Sequence, residues 1–232
     1  MKMLRFLDRL VQWFMQRLME RRWVQLTQSL IMVFSDYPSE AVDAVFLHPL
    51  SHKDDDEMFP LAASLIKSGR AGYIVTNGSD GQAMGDPSPG KAWAGRDVYL
   101  RRLVEAGVPE EKILFSLPCM HTRENNDFFL EVARRHGWKR IITLNQPQQL
   151  LRATLGQIRS MQLSGYWMRV YATCPRPWDF QREVFGSQGA QQVRRLELLK
   201  PELGRVITYQ ATGDLATFDE FFAYMARRSS IV

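Results

Sequence analysis

From residue 41 onward the sequence alternates between short apolar runs and longer amphipathic segments, and this alternation limits the folds open to the chain. The apolar runs are typical of buried strands that end in polar residues, namely AVDAVFLHP, AGYIVTNGSDG, KILFS, KRIITLNQP and WMRVYATCP. Segments with helical periodicity separate them, over residues 56–69, 92–107, 122–136 and 148–161. Strands that alternate with helices of about 10–15 residues form βαβ units, whose strands pair in parallel through right-handed crossovers. We therefore predict an α/β fold, a three-layer α/β/α Rossmann-like sandwich with a mainly parallel sheet.

Helical segments precede this core. Residues 3–18 have helical periodicity, with Leu7, Leu10 and Phe14 on one face, and an apolar helix over residues 24–34 continues it. A helix of this kind can lie on a membrane surface. Packing against the following domain is the more common arrangement, so we predict an N-terminal extension, residues 1–40, packed on its own core.

The Rossmann-like domain is predicted over residues 41–232, with helical additions after the last strand. Beyond residue 175 the pattern is less regular, and we expect helices over residues 190–199 and 218–228.

Composition places the chain among ordinary globular proteins and argues against a nucleic-acid partner. Of its 232 residues, 45% are hydrophobic and 24% charged, so the chain can bury a real core. The net charge is +5, yet no basic stripe is interleaved with aromatic residues, as a nucleic-acid site requires. Arginine pairs recur in separate predicted helices, and we interpret them as solvated helix faces: 21–22, 101–102, 134–135, 194–195 and 227–228.

The sequence predicts a cytoplasmic protein without a transmembrane segment. The two cysteines, Cys119 and Cys174, form neither a CxxC motif nor a disulfide framework, which suits a reducing cytosol. Charged residues interrupt the N-terminal apolar pattern, so it is not a signal peptide. No uncharged apolar run approaches the roughly 20 residues that span a bilayer.

Polar residues gather where the predicted strands end, which is where open α/β sheets bind ligands. We therefore expect a small-molecule site at the carboxyl ends of the strands, built from His48, Pro49, Asn77, Gly78, Ser79, Thr122, Glu124, Asn125, Asn145 and Gln146. In the stretch HTRENN, the helix start offers free backbone N–H groups and Glu124 offers an acceptor. Spacing alone favours a capping box, in which Thr122 and Asn125 bond only the helix terminus.

Three other combinations of residues could form a functional site at this edge of the sheet. The stretch HPLSHKDDDE could bind a transition metal through His48, His52 and the carboxylates of residues 54–56, but DDDE is also an ordinary acidic helix start, and we expect no metal. Cys119 and His121 could form a thiol nucleophile and base, although residues two apart on a loop seldom hold that geometry. The loop NGSDG could cradle a phosphate or act as a lid with the residues that follow.

An ordered set of motifs resembles the bacterial YdcF-like family, which also contains SanA-like and ElyC-like proteins. The motifs are GVP at residues 107–109, T-x-E-N at 122–125, a proline loop at Pro147, and the pair Arg152-Ala153. The resemblance covers residues 41–165, and the tail is loosely similar to the cytosolic YdcF branch. It implies a Rossmann-like fold with S-adenosylmethionine as ligand and no established reaction, and it adds Arg152 to the expected site. Glu124 could then bind ligand or pair with Arg152.

Several positions depart from the family pattern. Many members carry glycines where His48 and Pro49 stand, glutamates where Gly95 and Ser116 stand, and a histidine where Gln149 stands. These departures weaken the case for acid–base catalysis more than they weaken the case for ligand binding. We therefore expect a binder of S-adenosylmethionine or another adenosine-bearing ligand. The alternatives are a hydrolase or transferase acting on a phosphorylated or cell-envelope precursor, and an interaction module that uses the N-terminal helix.

Overall fold

The structure, a computed structural model, describes residues 2–49, 55–79, 95–119, 122–185 and 192–231, leaving the side chains at 2–15, 18, 55 and 185 undescribed. In chain order the elements are α1 (Lys2–Ser35), β1 (Val42–Leu47), α2 (Met58–Lys67), β2 (Ala71–Thr76), α3 (Arg96–Glu105), β3 (Ile113–Phe115), α4 (Thr122–His136), β4 (Arg140–Leu144), α5 (Leu150–Ser164), β5 (Arg169–Thr173), β6 (Glu183–Phe185), β7 (Gln192–Arg194), α6 (Arg195–Ala211) and α7 (Phe218–Arg227).

Five of these strands form one parallel sheet in the order β3-β2-β1-β4-β5, which confirms the predicted α/β fold. The chain builds outward from β1 through β2 to β3, then returns to the other side of β1 with β4 and β5. The direction of strand addition therefore reverses between β1 and β4. At such a reversal the flanking connections leave on opposite faces of the sheet, which opens a crevice at the carboxyl ends.

The central strand is buried on both faces, as a strand inside a three-layer sandwich must be. Val45 and Leu47 of β1 join a core that contains residues of α2 and α3. Ala44 and Phe46 join the opposite core, which contains residues of α4, α5 and the terminal helices. Alternate side chains of one apolar strand thus supply two cores, because successive residues point to opposite faces.

The first helix is continuous from Lys2 to Ser35, and its second half packs on the domain. Leu26 and Val33 are buried, and this half packs against α5, α7 and β5. Every described side chain from residue 16 to residue 24 is exposed. Among the described residues, no helix is both long enough and apolar enough to cross a bilayer.

The region after β5 differs from the sequence expectation. The helix predicted over residues 190–199 is confirmed only from Arg195 onward, because residues 192–194 form β7, which pairs antiparallel with β6, and residues 190–191 lie outside the described ranges. Helix α6 begins at Arg195 and continues through Pro201 to Ala211. A proline normally ends a helix because it lacks an N–H. Here buried Glu202 and Val206 anchor the following turns. The final predicted helix is confirmed as α7, which begins with a capping box formed by Thr217 and Glu220.

Side chains from outside the sheet cover the outer edge of β5. The Tyr224 hydroxyl donates to the carbonyl of Met168 at 2.9 Å and accepts from the N–H of Val170 at 2.7 Å. Arg228 donates to the carbonyl of Val170 at 2.9 Å and forms a two-pronged ion pair with Asp36, at 2.6 and 2.7 Å. The interpretation of Arg228 as part of a solvated helix face is therefore wrong. Its guanidinium stabilises the sheet edge.

Candidate functional site

The carboxyl ends of β1 and β4 lie side by side at the reversal point. Leu47 pairs with Leu144, and the N–H of His48 donates to the carbonyl of Leu144 at 3.0 Å. The first residues beyond the two strands, His48 and Asn145, are therefore neighbours. Both side chains are buried. The Asn145 amide oxygen accepts from the N–H of Gln146 at 2.7 Å, which fixes the start of the loop.

His48 is a buried, neutral imidazole. Its side chain is 3% exposed, and its ring centroid lies 4.0 Å from that of Phe46. Burial, reinforced by the positive charge of Arg152, lowers the pKa of His48 to about 3. The ring therefore carries no charge at neutral pH. Its Nε2 is buried and has no hydrogen-bond partner among the described residues.

The Asn77-Gly78-Ser79 segment after β2 holds the neighbouring loop in place. The Asn77 amide nitrogen donates to the carbonyl of Cys119 at 2.9 Å, and its oxygen accepts from the N–H of Ser79 at 2.9 Å. A Cβ on Gly78 would lie 2.3 Å from the carbonyl oxygen of Ser116, so only glycine allows the two loops to approach so closely. Asn77 and Gly78 thus have structural roles at the predicted site.

Helix α4 begins at Thr122, so the stretch singled out in the sequence lies in its first turn. The Thr122 hydroxyl accepts from Arg152 at 3.2 Å, and Glu124 is exposed. Asn125 is 6% exposed, and its Oδ1 has no hydrogen-bond partner in the described part of the chain. In a capping box that oxygen would accept from the helix terminus. Asn125 is instead an acceptor at the carboxyl edge of the sheet.

Arg152 links three elements at this edge. Its Nε donates to Glu202 of α6 at 2.8 Å, its Nη1 donates to Thr122, and its charge acts on His48. The Arg152 and Glu202 side chains are 8% and 3% exposed, and Glu202 also pairs with Arg205. Arg152 is therefore a compensated buried cation that holds α4, α5 and α6 together beneath the site.

Arg195 is a second buried cation, which the sequence analysis placed on a solvated helix face. That interpretation is wrong, because the Arg195 side chain is 1% exposed. Its guanidinium donates to Glu57 at 2.8 Å, to the Gln146 amide oxygen at 3.1 Å and to the carbonyl of Asp179 at 3.0 Å. Arg195 thus connects the start of α6 to the start of α2 and to the loop after β4. The sequence could not predict this burial, because nothing in it distinguishes Arg195 from the neighbouring Arg194.

Gln148 is the other site residue that the sequence analysis missed. It lies in the short 3₁₀-helix Pro147–Gln149 after β4 and is 6% exposed. Neither its amide nitrogen nor its amide oxygen has a hydrogen-bond partner among the described residues. The same holds for the Oγ1 of Thr76, at the end of β2. A buried amide without partners is costly in a folded protein, so such groups call for a specific explanation.

Cys119 is unsuited to be a nucleophile in this environment. Burial, reinforced by the negative charge of Glu124, raises the pKa of the Cys119 thiol to about 12. The thiol therefore stays protonated at neutral pH, whereas catalysis needs the thiolate. The residue considered as its partner, His121, lies outside the described residues.

The metal and phosphate alternatives rest partly on residues outside the described ranges, including His52, Asp54, Asp80 and Gly81, together with the side chain of Asp55. Within the described ranges, no three histidine, cysteine or acidic side chains are grouped as metal ligands would be.

The carboxyl edge of the sheet carries buried, uncharged polar residues and two buried cations, Arg152 and Arg195, which pair with Glu202 and Glu57. His48, Asn125 and Gln148 offer unpaired hydrogen-bonding atoms, while the two candidate acid–base groups, His48 and Cys119, are held neutral by burial. These side-chain atoms can form hydrogen bonds with the donors and acceptors of an uncharged ligand group. No model of a known protein family matches the chain, and no curated protein matches it.

Proposed function

We propose that this chain binds a small polar molecule at the carboxyl ends of β1, β2 and β4, and that the molecule carries an adenosine group, as S-adenosylmethionine does. The observation that carries the proposal is that three residues in segments that follow strands of the sheet, His48, Asn125 and Gln148, have buried hydrogen-bonding atoms with no partner among the described residues. Buried polar groups in proteins are almost always paired. A bound ligand would satisfy these groups, and their position at the strand reversal is where Rossmann-like sheets hold nucleotides.

The chemistry of these groups favours a heterocyclic base. A carboxamide such as that of Gln148 presents one donor and one acceptor, which match the edge of an adenine ring. Neutral His48 adds a further single donor or acceptor. The proposed membership of the YdcF-like family, which rests on the motifs at residues 107–109, 122–125 and 152–153, supports the same ligand.

Binding without turnover fits the site better than hydrolysis or group transfer. A general acid or base works best with a pKa near the operating pH. The pKa values of His48 and Cys119, about 3 and about 12, lie far from neutrality on opposite sides. We place the protein in the cytoplasm, where adenosine-bearing metabolites are available.

Mass spectrometry of the natively purified protein tests the proposal first, because a tightly bound ligand is carried through purification. Titration calorimetry with S-adenosylmethionine then measures affinity for the wild type and for Gln148→Leu. Removing hydrogen bonds to the ligand should weaken binding by about 1–3 kcal/mol, or roughly 10-fold to 100-fold. The free protein should be no less stable, because leucine removes an unsatisfied buried amide.

The matched control is Gln162→Leu, in the last turn of α5 and at the opposite edge of the sheet, which should leave affinity unchanged. Equal affinity of Gln148→Leu and wild type, combined with reduced stability of the variant, would show that Gln148 is structural.

Glu124→Gln separates the two roles of Glu124 in the same assay. Loss of affinity with unchanged melting temperature indicates a ligand contact, and the reverse indicates a structural carboxylate.

A further inference from the structure

The amino-terminal edge of the parallel sheet, opposite the candidate site, carries aromatic rings with cations over them. Tyr166 and Trp167 lie between α5 and β5, and both are partly exposed. The Arg134 guanidinium and the Lys139 ammonium lie 5.5 and 5.2 Å from the ring centre of Tyr166. The Arg227 guanidinium lies 3.9 Å from the ring centre of Trp167. The two rings are consecutive in the chain, so cations from three separate segments meet there, and we call Arg134, Lys139 and Arg227 the basic edge.

Buried neighbours fix the two rings beneath these cations. The Tyr166 hydroxyl donates to the carbonyl of Trp138 at 2.7 Å, and Trp138 is itself buried. The Trp167 ring stacks with buried Tyr224, with 6.2 Å between the ring centres. A cation attracted to the face of a fixed ring has less conformational freedom to lose when it binds an anion. The basic edge is therefore preorganised for a negatively charged partner.

The three charges of the basic edge are accessible and are not neutralised by neighbouring carboxylates. All three residues are exposed, and none of them forms an ion pair with a carboxylate of the described residues. The nearby carboxylates have other partners. Glu131 pairs with Arg135 at 3.4 Å. Asp43 accepts from the backbone N–H groups of Lys139 and Arg140 at 2.7 and 2.8 Å. The charges of the basic edge therefore remain available to a partner.

We propose that the basic edge binds an acidic segment of a partner protein, a stretch of chain rich in aspartate and glutamate. Carboxylates complement exposed guanidinium and ammonium groups in charge and in hydrogen bonding. Arg227 lies over a different ring from the other two cations, so a row of carboxylates matches the edge better than one small anion does. Single-stranded nucleic acid is the other extended polyanion, and proteins hold it by stacking its bases on aromatic rings. Here cations already lie over Tyr166 and Trp167, which favours the carboxylates.

Fluorescence anisotropy of a labelled oligoglutamate peptide, titrated with the full chain at low salt, tests this proposal. The wild type should bind the peptide, and binding should weaken as salt is added. The triple variant Arg134→Gln/Lys139→Gln/Arg227→Gln should bind about 10-fold more weakly, on the combined scale of three exposed ion pairs. The variant Arg134→Lys/Lys139→Arg/Arg227→Lys should bind as the wild type does, because it keeps the three charges.

The matched control is Arg22→Gln/Arg101→Gln/Lys200→Gln, which removes the same charge from exposed positions on α1, α3 and α6 and should bind the peptide as the wild type does. Equal weakening in the two glutamine variants would overturn the proposal, because net charge alone would then govern binding. If the basic-edge variant melts at a lower temperature but keeps wild-type affinity, the three cations only stabilise the rings beneath them and the proposal fails. A single-stranded oligonucleotide of equal charge that binds more tightly than the peptide would identify a nucleic acid as the partner and would likewise refute it.

Discussion

Protonation of His48 should destabilise this protein as the pH falls below neutrality. The unfolded chain holds that imidazole at its usual pKa of 6.5, whereas the folded protein lowers the pKa to about 3. Between these values the unfolded state binds a proton that the folded state does not. The contribution of His48 to stability is therefore complete above pH 6.5 and is lost as the pH falls from 6.5 towards 3.

The size of the effect follows from the two pKa values. One pKa unit corresponds to about 1.4 kcal/mol, so lowering the pH from 7 to 5 should cost about 2 kcal/mol of unfolding free energy from His48 alone. Its side chain is 3% exposed, so solvent screens little of this. With a urea m-value of about 2–3 kcal/mol/M, the unfolding midpoint should fall by roughly 0.7–1 M.

Urea unfolding of wild type and His48→Gln at pH 7, 6 and 5 measures this directly. Glutamine removes the titration, so the variant should lose about 2 kcal/mol less than the wild type over the same range. His136→Gln, at an exposed position at the end of α4, is the control for the substitution of histidine by glutamine itself. If His48→Gln keeps the full wild-type pH dependence, His48 is not a buried neutral imidazole and the description of the site is wrong.

Three further outcomes are expected. Thermal unfolding should show that Gly78→Ala lowers the melting temperature, because the new Cβ would lie 2.3 Å from the carbonyl oxygen of Ser116. In the same assay Gly204→Ala should raise stability by up to about 1 kcal/mol, because a Cβ at that helical position meets nothing within 4 Å. Glu202→Gln should destabilise the protein by about 3–5 kcal/mol by leaving Arg152 uncompensated, and Arg152→Met combined with it should recover much of the loss in a double-mutant cycle. Elemental analysis should find no stoichiometric zinc, iron or manganese, and one metal per chain that disappears in His48→Ala would contradict the binding proposal.

The sequence predicted the layered α/β fold because local periodicity and element order determine it. Strand β1 alternates between two cores, and α4 has the predicted bounds of Thr122–His136. Each of these elements has a pattern that a window of about ten residues reveals. The prediction ended helix α6 at residue 199, too early, because the buried Glu202 that holds the next turn in place pairs with Arg152, which is distant in sequence.

The sequence placed His48, Asn77 and Asn145 at the ends of strands, where the structure also has them, and their role as ligand-binding residues stays a prediction. Their burial and their interactions were not predicted. Sequence position could not reveal that Asn77 serves the neighbouring loop, or that Arg195 is buried while Arg194 is exposed. Those distinctions come from contacts across the sheet edge, and the sequence alone contains no measure of them.

The cover on the edge of β5 has a consequence for biosynthesis. Helix α7 follows every strand of the sheet in the chain, so on the ribosome β5 is made before Tyr224 and Arg228 exist. A growing chain therefore passes through a stage in which all five parallel strands are present and the N–H and carbonyl of Val170 face outward. An open strand edge of this kind can pair with another nascent chain. Messages truncated between β5 and α7 should yield aggregates, and chains that include Arg228 should not.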